Sequence, residues 1–309
     1  MFIAIDIGGT KTELALGNRK AEVVQKEIIP ASPDFDSFLS SISSVIEKFS
    51  KGKKIEGIGI AAPGPLDPQD GVIFSSPNLK WNNVCLKGVL QKRFKLPVVI
   101  ENDANLSALG EAILGAGRKA KSLFYLTIST GIGGAFILEK NICTGATFDA
   151  GEIGHTIVLP NGPKCNCGRR GCLEALCSGT AIAKKARQAV KKTPHSLILK
   201  LAGGKKEAIT AQIVVGAVRQ KDRLAQQIWQ ETCYFLGIGI ANMINLINPE
   251  MVIIGGGVSK AGDILFRPLR KVIKEQGWKR AVKSCPIVRA KLRNPGIVGV
   301  LIYISKCKN

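Results

Sequence analysis

Two segments of the chain share one layout, in which a short apolar strand leads into a Gly-rich turn and a second apolar strand. The first segment covers residues 2–16 and the second covers residues 123–139, and each has a threonine in or beside its turn, Thr10 and Thr130. Two copies at a wide separation do not make a solenoid, so the layout indicates a weak internal duplication. We therefore expect two units, with the second beginning near Gly117.

Predicted strands alternate with predicted helices in the rest of the chain. Further strands are predicted at 23–29, 55–61, 98–100 and 251–254. Helices are predicted at 36–49, 86–94, 104–114, 179–192, 210–245 and 296–304. This alternation is typical of an α/β fold. We expect domains over 1–116 and 117–294, with the C-terminal helix within 295–309 packing back on the first domain.

The chain is strongly basic, but its charge is not patterned for nucleic acid. Its 309 residues include 44 Lys and Arg against 23 Asp and Glu, a formal net charge of +21. The basic residues are spread along the whole chain, and aromatic residues do not interleave with them as a base-stacking surface requires. We therefore expect no nucleic-acid partner and a weak attraction for nucleotide phosphates.

Two observations argue against export and membrane insertion. Asp6 places a carboxylate where an export signal has its apolar stretch. The most apolar long stretch, 235–258, is interrupted by Asn, Pro and Glu residues, which predicts a buried helix followed by a buried strand. We expect a cytoplasmic protein with no membrane partner.

One cluster of residues has the composition of a metal site. It consists of His155, Cys165, Cys167 and Cys172. Three thiols and an imidazole match the ligand set of a closed tetrahedral zinc site, and Gly168 and Gly171 allow the backbone to turn tightly between the thiols. The Cys-x-Cys spacing is too tight for a comfortable disulfide. Since no ligand position is left for water, the sequence predicts a structural zinc ion.

Three Gly-rich turns follow predicted strands. The first contains Asp6, Gly8, Gly9, Thr10 and Lys11, the second Thr130, Gly131, Gly133 and Gly134, and the third Gly255, Gly256 and Gly257. Glycines let backbone N–H groups approach a phosphate, and a carboxylate such as Asp6 can hold Mg²⁺ through water. Such turns are also common as purely structural features, and the chain has no Gly-x4-Gly-Lys-Ser/Thr loop. The set favours a nucleotide held between two domains without a P-loop.

Asp103 follows the predicted strand 98–100 and precedes a predicted helix. A carboxylate at the carboxyl end of a strand lies where α/β sheets place their ligands. It could accept the proton of a substrate hydroxyl during phosphoryl transfer. It could also serve as the N-cap of a helix that begins near Ala104. The residues by themselves favour the N-cap and leave the role of a base open.

Together these motifs resemble the ROK family (repressors, open-reading-frame proteins and sugar kinases), which has the actin/hexokinase-like ATPase fold. The pair Glu152-x-x-His155 and the run Cys-x-Cys-Gly-x-x-Gly-Cys-x-Glu at 165–174 carry the resemblance, which extends over nearly the whole chain. It implies two ribonuclease H-like α/β domains flanking a cleft that closes on sugar and ATP, with a zinc-binding loop in the larger domain.

The resemblance also implies roles for single residues. Asp103 would be the general base for the 6-hydroxyl of the sugar, and one nitrogen of His155 would bind zinc while the other donates to a sugar hydroxyl. The sugar contacts would be Gly64, Asn78, Asn102, Asp103, Glu152, His155 and Glu174. The turns at 8–11 and 130–134 would hold the phosphates of Mg-ATP. Gly256, Gly257 and Val258 would lie near the adenosine.

Two positions depart from the family pattern. Ser129 and Ala135 stand on either side of the second turn, where kinases of the family often have glycine. Ser129 adds a Cβ and a hydroxyl, so we expect an altered affinity for ATP.

The function that the resemblance implies is that of an ATP-dependent hexose kinase, closest to the glucokinase branch, with glucose the expected sugar. Kinases for N-acetylmannosamine or N-acetylglucosamine use the same zinc and base residues, so they remain the alternative. A sugar-responsive repressor is a contrasting class, which has a helix-turn-helix domain ahead of the first strand, whereas here that strand begins at Phe2. A homodimer or homotetramer is expected from the family.

Overall fold

The computed structural model describes residues 1–76 and 79–307. Two compact units are defined by their internal contacts. The first contains Met1–Lys121, Ala135–Ala150 and the chain from Lys291 onward. The second contains Ser122–Gly134 and Gly151–Ala290. The domain boundaries derived from the sequence stay a prediction.

The elements alternate along the chain as the sequence predicts. Up to residue 113 they are β1 (Phe2–Ile7), β2 (Lys11–Gly17), β3 (Val23–Pro30), α1 (Phe35–Ser50), β4 (Gly57–Ala62), β5 (Leu66–Asp67), β6 (Val72–Ser76), β7 (Trp81–Cys85), α2 (Leu86–Phe94), β8 (Val98–Asn102) and α3 (Asp103–Ile113). The later ones are β9 (Ser122–Ile128), β10 (Ile132–Leu138), β11 (Asn141–Cys143), α4 (Leu173–Cys177), α5 (Gly179–Ala189), α6 (Leu197–Leu201), α7 (Ala211–Arg219), α8 (Arg223–Ile247), β12 (Met251–Gly255), α9 (Asp263–Gln276), α10 (Lys279–Ser284), β13 (Ile287–Arg289) and α11 (Pro295–Cys307). Three short 3₁₀ helices cover Ile153–His155, Lys206–Ala208 and Val258–Ala261.

Two five-stranded sheets have equivalent strand orders. The first is β3-β2-β1-β4-β8, in which β1, β4 and β8 run parallel. The second is β11-β10-β9-β12-β13, in which β9, β12 and β13 run parallel. The repeated order confirms the internal duplication and the α/β class. In both sheets the parallel strands end at one edge, where α/β proteins place their ligands.

The core of the first unit forms where helix α1 covers the sheet. Asp34 caps the helix by accepting a hydrogen bond from the Ser37 N–H at 2.9 Å. Phe38, Ile42 and Phe49 then fall on one face at helical spacing, and all three are buried among the strand residues.

Helix α11 packs on α3 in the first unit at two close backbone approaches. A Cβ added to Gly299 would clash with the backbone carbonyl of Leu106, and a Cβ added to Gly110 would lie 2.6 Å from the Pro295 oxygen. The missing side chains therefore set the distance between the two helices, which both belong to the first unit.

Two local predictions were wrong, and some short elements were not predicted. The helix predicted over 210–245 is two helices, α7 and α8, because the chain turns at Lys221 (φ 62°) and Asp222 caps the new helix through the Ala225 N–H. The second Gly turn is shorter than predicted, since β10 already begins at Ile132. The small sheet β5-β6-β7 and the short strand β13 were not predicted. In the described part of the chain, no helix is long and apolar enough to cross a membrane.

Replacing Gly299 with alanine should destabilise the protein by at least about 2 kcal/mol, since its methyl group meets backbone that cannot rotate away. Gly216, in α7, is the matched control, because a Cβ there lies 3.6 Å from the Leu201 side chain. Gly216→Ala should be neutral or stabilising by up to about 1 kcal/mol. Urea unfolding of both variants measures the difference, and equal free energies of unfolding would contradict the packing described here.

Candidate functional site

In the first unit, the carboxyl ends of β1, β4 and β8 bring together four residues that the sequence singles out. Asp6 lies near the end of β1 and pairs in register with Ala61 of β4, and Ala62 of β4 pairs with Asn102 of β8. Gly64 follows β4, and Asp103 opens α3 directly after β8. The parallel register therefore places carboxylates and an amide at one sheet edge.

The N-cap of α3 is Asn102, not Asp103. The Asn102 Oδ1 accepts hydrogen bonds from the N–H groups of Ala104 at 2.9 Å and Asn105 at 3.3 Å. Asp103 is the first helical residue, and the Ala104 N–H also lies 2.7 Å from its Oδ1. The alternative prediction, that Asp103 is the N-cap of α3, is therefore wrong, because Asn102 occupies that position. A Cβ on Gly64 would lie 3.1 Å from the Asn102 Nδ2, so the backbone at Gly64 passes close to this cap.

Asp6 has an unusual protonation equilibrium. Burial, with a smaller contribution from the nearby carboxylates of Asp103 and Glu13, raises the pKa of its carboxyl to about 7, against a lowering effect of Lys11. Glu13 lies opposite Asp6 on β2. A cation bound beside a carboxyl group in such surroundings stabilises its ionised form.

The first Gly turn closes through its own backbone. The Gly8 N–H donates to the Lys11 carbonyl at 3.0 Å, and the Ala31 N–H donates to the Thr10 carbonyl at 3.1 Å. Gly9, Thr10 and Lys11 are exposed. The predicted phosphate contacts of this turn stay a prediction. Asn78, a predicted sugar contact, lies outside the described residues.

In the second unit, the four predicted metal ligands converge. One ligand atom from each of His155, Cys165, Cys167 and Cys172 can be chosen so that all lie within 4.8 Å of one another. The His155 Nδ1 is 3.7 Å from the Cys165 Sγ, and the Sγ atoms of Cys167 and Cys172 are 3.6 Å apart. At this separation the two sulfur atoms do not form a disulfide. Four donor atoms that lie this close together can bind one metal ion in tetrahedral geometry.

Two short backbone pairings build this cluster. Ile157 and Cys172 form an antiparallel bridge, and the Leu173 N–H donates to the Thr156 carbonyl at 2.9 Å, which brings the His155 segment beside the last cysteine. The loop with the other two cysteines turns at Gly168, whose φ is +90°. Gly171 has a φ of +75° and leaves no room for a Cβ beside the Leu159 carbonyl. Both glycines are therefore required where the sequence predicts tight turns.

The cysteines of the cluster differ in protonation. Hydrogen bonding to Arg169 lowers the pKa of the exposed Cys167 thiol to about 6, whereas burial raises that of Cys172 to about 12. The other side of the imidazole faces a carboxylate, since the His155 Nε2 is 4.0 Å from a Glu152 oxygen. A histidine placed in this way presents its Nδ1 to a metal and its Nε2–H to an acceptor.

Glu174, predicted as a sugar contact, is bonded to the second Gly turn. Its Oε2 accepts a hydrogen bond from the Ile132 N–H at 2.8 Å, and it occupies the space that a side chain on Gly131 would need. The Gly179 N–H also donates to the Ser129 carbonyl at 2.7 Å. Residues 172–180 therefore connect the metal-ligand cluster to this turn. Gly133 and Gly134 lie inside β10 rather than in the turn.

A cavity of about 480 Å³ opens beside the second and third Gly turns. Of the predicted nucleotide contacts, Thr130, Gly257 and Val258 line it, together with Ser129. Gly256, with a φ of +80°, lies against the backbone of Ile128. The cavity is lined as well by residues that the sequence did not indicate, among them Thr180, Arg187, Thr210, Gln212, Arg219 and Lys260. These residues lie in α5, α7 and nearby segments, where no local sequence pattern indicates that they line a cavity.

The raised pKa of Asp6 predicts a pH-dependent cost to stability. The folded protein keeps this proton up to about pH 7 and the unfolded chain loses it near pH 4, so the free energy of unfolding falls as pH rises between these values. Asp6→Asn removes the cost and should stabilise the ligand-free protein at pH 8 by on the order of 2 kcal/mol, with a smaller gain at pH 5. Asp70→Asn, at an exposed carboxylate, should show no such trend. Thermal unfolding at both pH values tests this, and a destabilised Asp6→Asn variant at pH 8 would contradict it.

Known proteins resemble the whole chain. The model of the ROK family matches residues 2–306. A glucokinase from Thermotoga maritima is 38% identical over 309 residues, which cover 99% of this chain and 97% of that protein. A xylose repressor from Caldicellulosiruptor bescii is 33% identical over 304 residues, or 96% of this chain and 76% of the repressor. The crystal structure of a ROK family glucokinase from Streptomyces griseus in complex with glucose and AMPPNP has a TM-score of 0.87 at 31% identity, with 99% of both chains covered. With its family motifs assembled as described above, this chain belongs to the ROK family.

Proposed function

We propose that this protein is an ATP-dependent hexose kinase that transfers a phosphoryl group to the 6-hydroxyl of glucose. The observation that carries the proposal is the placement of Asp6 and Asp103 at the same edge of one sheet, at the ends of β1 and β8 on either side of β4, with the N-cap of α3 supplied by Asn102. The similarity to glucokinases over nearly the full length of the chain supports glucose as the sugar. Kinases for N-acetylmannosamine or N-acetylglucosamine are the alternative, and a sugar-responsive repressor is less favoured because the repressor relative is less similar.

In the proposed reaction Asp103 accepts the proton of the sugar 6-hydroxyl. The sugar oxygen forms a bond to the γ-phosphorus of ATP, the bond from that phosphorus to the bridging oxygen breaks, and ADP leaves. The transition state is loose, so positioning contributes most of the rate and the base adds about 10²–10⁴-fold. Mg²⁺, bound with ATP, supplies positive charge to the phosphates, and Asp6 would hold it through water.

The sugar contacts proposed for the first unit are Gly64, Asn78, Asn102 and Asp103, and those for the second are Glu152, His155 and Glu174. Glu174 has two carboxylate oxygens, of which Oε2 accepts from Ile132. In this proposal the same side chain positions both the sugar and the second Gly turn. A change at Glu174 would then alter the binding of ATP as well as that of sugar.

The nucleotide is proposed to occupy the 480 Å³ cavity of the second unit, whose volume suits a small-molecule ligand. The phosphates would approach Gly8–Lys11 in the first unit and Thr130, Gly131, Gly133 and Gly134 in the second, and the adenosine would lie near Gly256, Gly257 and Val258. Arg219 and Lys260 add positive charge to the cavity lining. Ser129 lines the same cavity, which supports the expectation that its side chain affects the affinity for ATP.

We also propose that the cluster of His155, Cys165, Cys167 and Cys172 binds one structural zinc ion, whose chemistry is to hold four donors in a fixed tetrahedron. The cluster fits this ion because it offers four nitrogen and sulfur donors at close range. His155 would bind through Nδ1 and keep its Nε2–H directed to an acceptor, Glu152 or a sugar hydroxyl. The protein is further proposed to be a cytoplasmic homodimer or homotetramer. Its two domains are proposed to have the boundaries predicted from the sequence.

Kinetic assays of ADP release test the activity. With Mg-ATP, glucose should give a higher kcat/KM than mannose, fructose, N-acetylglucosamine or N-acetylmannosamine. Asp103→Asn should lower kcat by about 10²–10⁴-fold and change the Kd for glucose by less than about threefold, since the amide keeps the shape and loses the base. Asp70→Asn is the control for loss of one carboxylate. Near-normal kcat in Asp103→Asn would rule out the role of the base, and no activity on any sugar would contradict the kinase.

Metal analysis tests the zinc site separately. The purified protein should contain one zinc ion per chain by mass spectrometry, and Cys167→Ser should lose most of it and unfold at a lower temperature. Cys85→Ser, at an exposed cysteine outside the cluster, should retain both the metal and the stability. If the wild-type protein lacks stoichiometric zinc, or if both variants behave alike, the proposed ligand set is wrong.

A further inference from the structure

A second cavity, of about 600 Å³, lies in the second unit where α9, α10 and β13 meet. Its deepest side chains include Ile273, Cys285 and Ile287, which are each at most 5% exposed. No residue lines both this cavity and the proposed nucleotide cavity, and none of the metal ligands lines it. It is therefore a separate feature that the proposed kinase reaction does not use.

Four cationic side chains surround this apolar floor. Arg270 and Lys274 are one turn apart on α9, and Lys279 and Lys283 are one turn apart on α10. No lining residue is acidic. Like charges one turn apart on a helix repel each other, so two such pairs at one cavity carry a stability penalty that an anionic ligand would remove.

Among the described residues, none of the four forms an ion pair, and the nearby Asp263 pairs with Arg267 at 2.9 Å instead. All four cationic side chains are exposed to solvent. A ligand can therefore reach them without displacing a salt bridge.

One of the four groups is held in place before any ligand arrives. The Arg270 Nη2 donates to the Ile287 carbonyl at 2.8 Å, and the guanidinium lies 5.4 Å from the centre of the Phe266 ring. A guanidinium has five N–H donors in a planar fork, so most of them remain for a bidentate contact with a phosphate, sulfonate or carboxylate. Fixing this side chain in advance lowers the entropic cost of binding.

We propose that this cavity is a binding site for a small organic anion with at least two negative charges on an apolar body. The charges would contact the four cations at the rim, and the body would cover Ile273, Cys285 and Ile287. The volume lies in the range of small-molecule sites. An inorganic anion would satisfy the rim and leave the apolar floor exposed to water, so it would bind more weakly.

Calorimetric titration with naphthalene-1,5-disulfonate tests the proposal, because this probe combines an aromatic body with two fixed charges. The titration uses full-length protein saturated with glucose and AMPPNP, so that the proposed catalytic site is filled. Lys274→Glu combined with Lys283→Glu should weaken binding at least tenfold. The control combines Lys191→Glu with Lys192→Glu, two exposed lysines of the same unit, and changes the net charge by the same amount. It should bind the probe within about threefold of wild type.

Equal weakening in both double variants would mean that the probe responds only to net charge, and it would overturn the proposal. So would binding of inorganic sulfate as tight as that of the probe, because the apolar floor would then contribute nothing. If the charge-reversed variant does not fold, Lys274→Gln with Lys283→Gln replaces it, with Lys191→Gln and Lys192→Gln as its control. In that pair, unchanged probe binding by the cavity variant would likewise overturn the site.

Discussion

The hydrogen bond from the Ile132 N–H to the Glu174 carboxylate joins the two functional parts of the second unit. Glu174 follows the metal-ligand residue Cys172 by two positions, and Ile132 begins the strand after the second Gly turn. A hydrogen bond to a charged acceptor contributes about 1.5–3 kcal/mol. The Glu174 carboxylate can reach this turn only because Gly131 has no side chain. The geometry of the cysteine loop and that of the cavity beside the second Gly turn therefore depend on one another.

The first unit carries a different constraint, which is electrostatic. Asp6 is placed near Asp103 and Glu13 at a buried sheet edge, where like charges and burial both disfavour its ionised form. The N-terminal end of α11 adds to this burial, since a Cβ on Gly296 would clash with the Asp6 carboxylate. Such an arrangement costs stability in the ligand-free protein, and a cation with its nucleotide would reverse that cost. Strain of this kind is typical of functional sites.

Local sequence patterns predicted the features that are themselves local. The strand and helix periods, the glycines at 168 and 171 and the metal-ligand spacing all act within a few residues, and the structure contains them as expected. The second turn was misjudged because glycines usually end strands, whereas Gly134 lies within β10, where a Cβ would be 2.6 Å from the Gly151 carbonyl.

The remaining features depend on contacts between segments that are distant in the sequence. Arg187, Arg219 and Lys260 line one cavity only because α5, α7 and a 3₁₀ helix converge there. Asn102 rather than Asp103 caps α3, a difference of one residue that periodicity cannot resolve. The bond between Glu174 and Ile132 spans 42 positions, so no motif containing either residue indicates it.

Phosphorus NMR of the product formed from Mg-ATP and glucose shows whether the protein moves the γ-phosphoryl group of ATP to one hydroxyl of glucose. We expect a phosphomonoester signal that is coupled to the two protons on carbon 6 and appears in step with ADP. A phosphate ester on another carbon, or free phosphate in place of the ester, would contradict it.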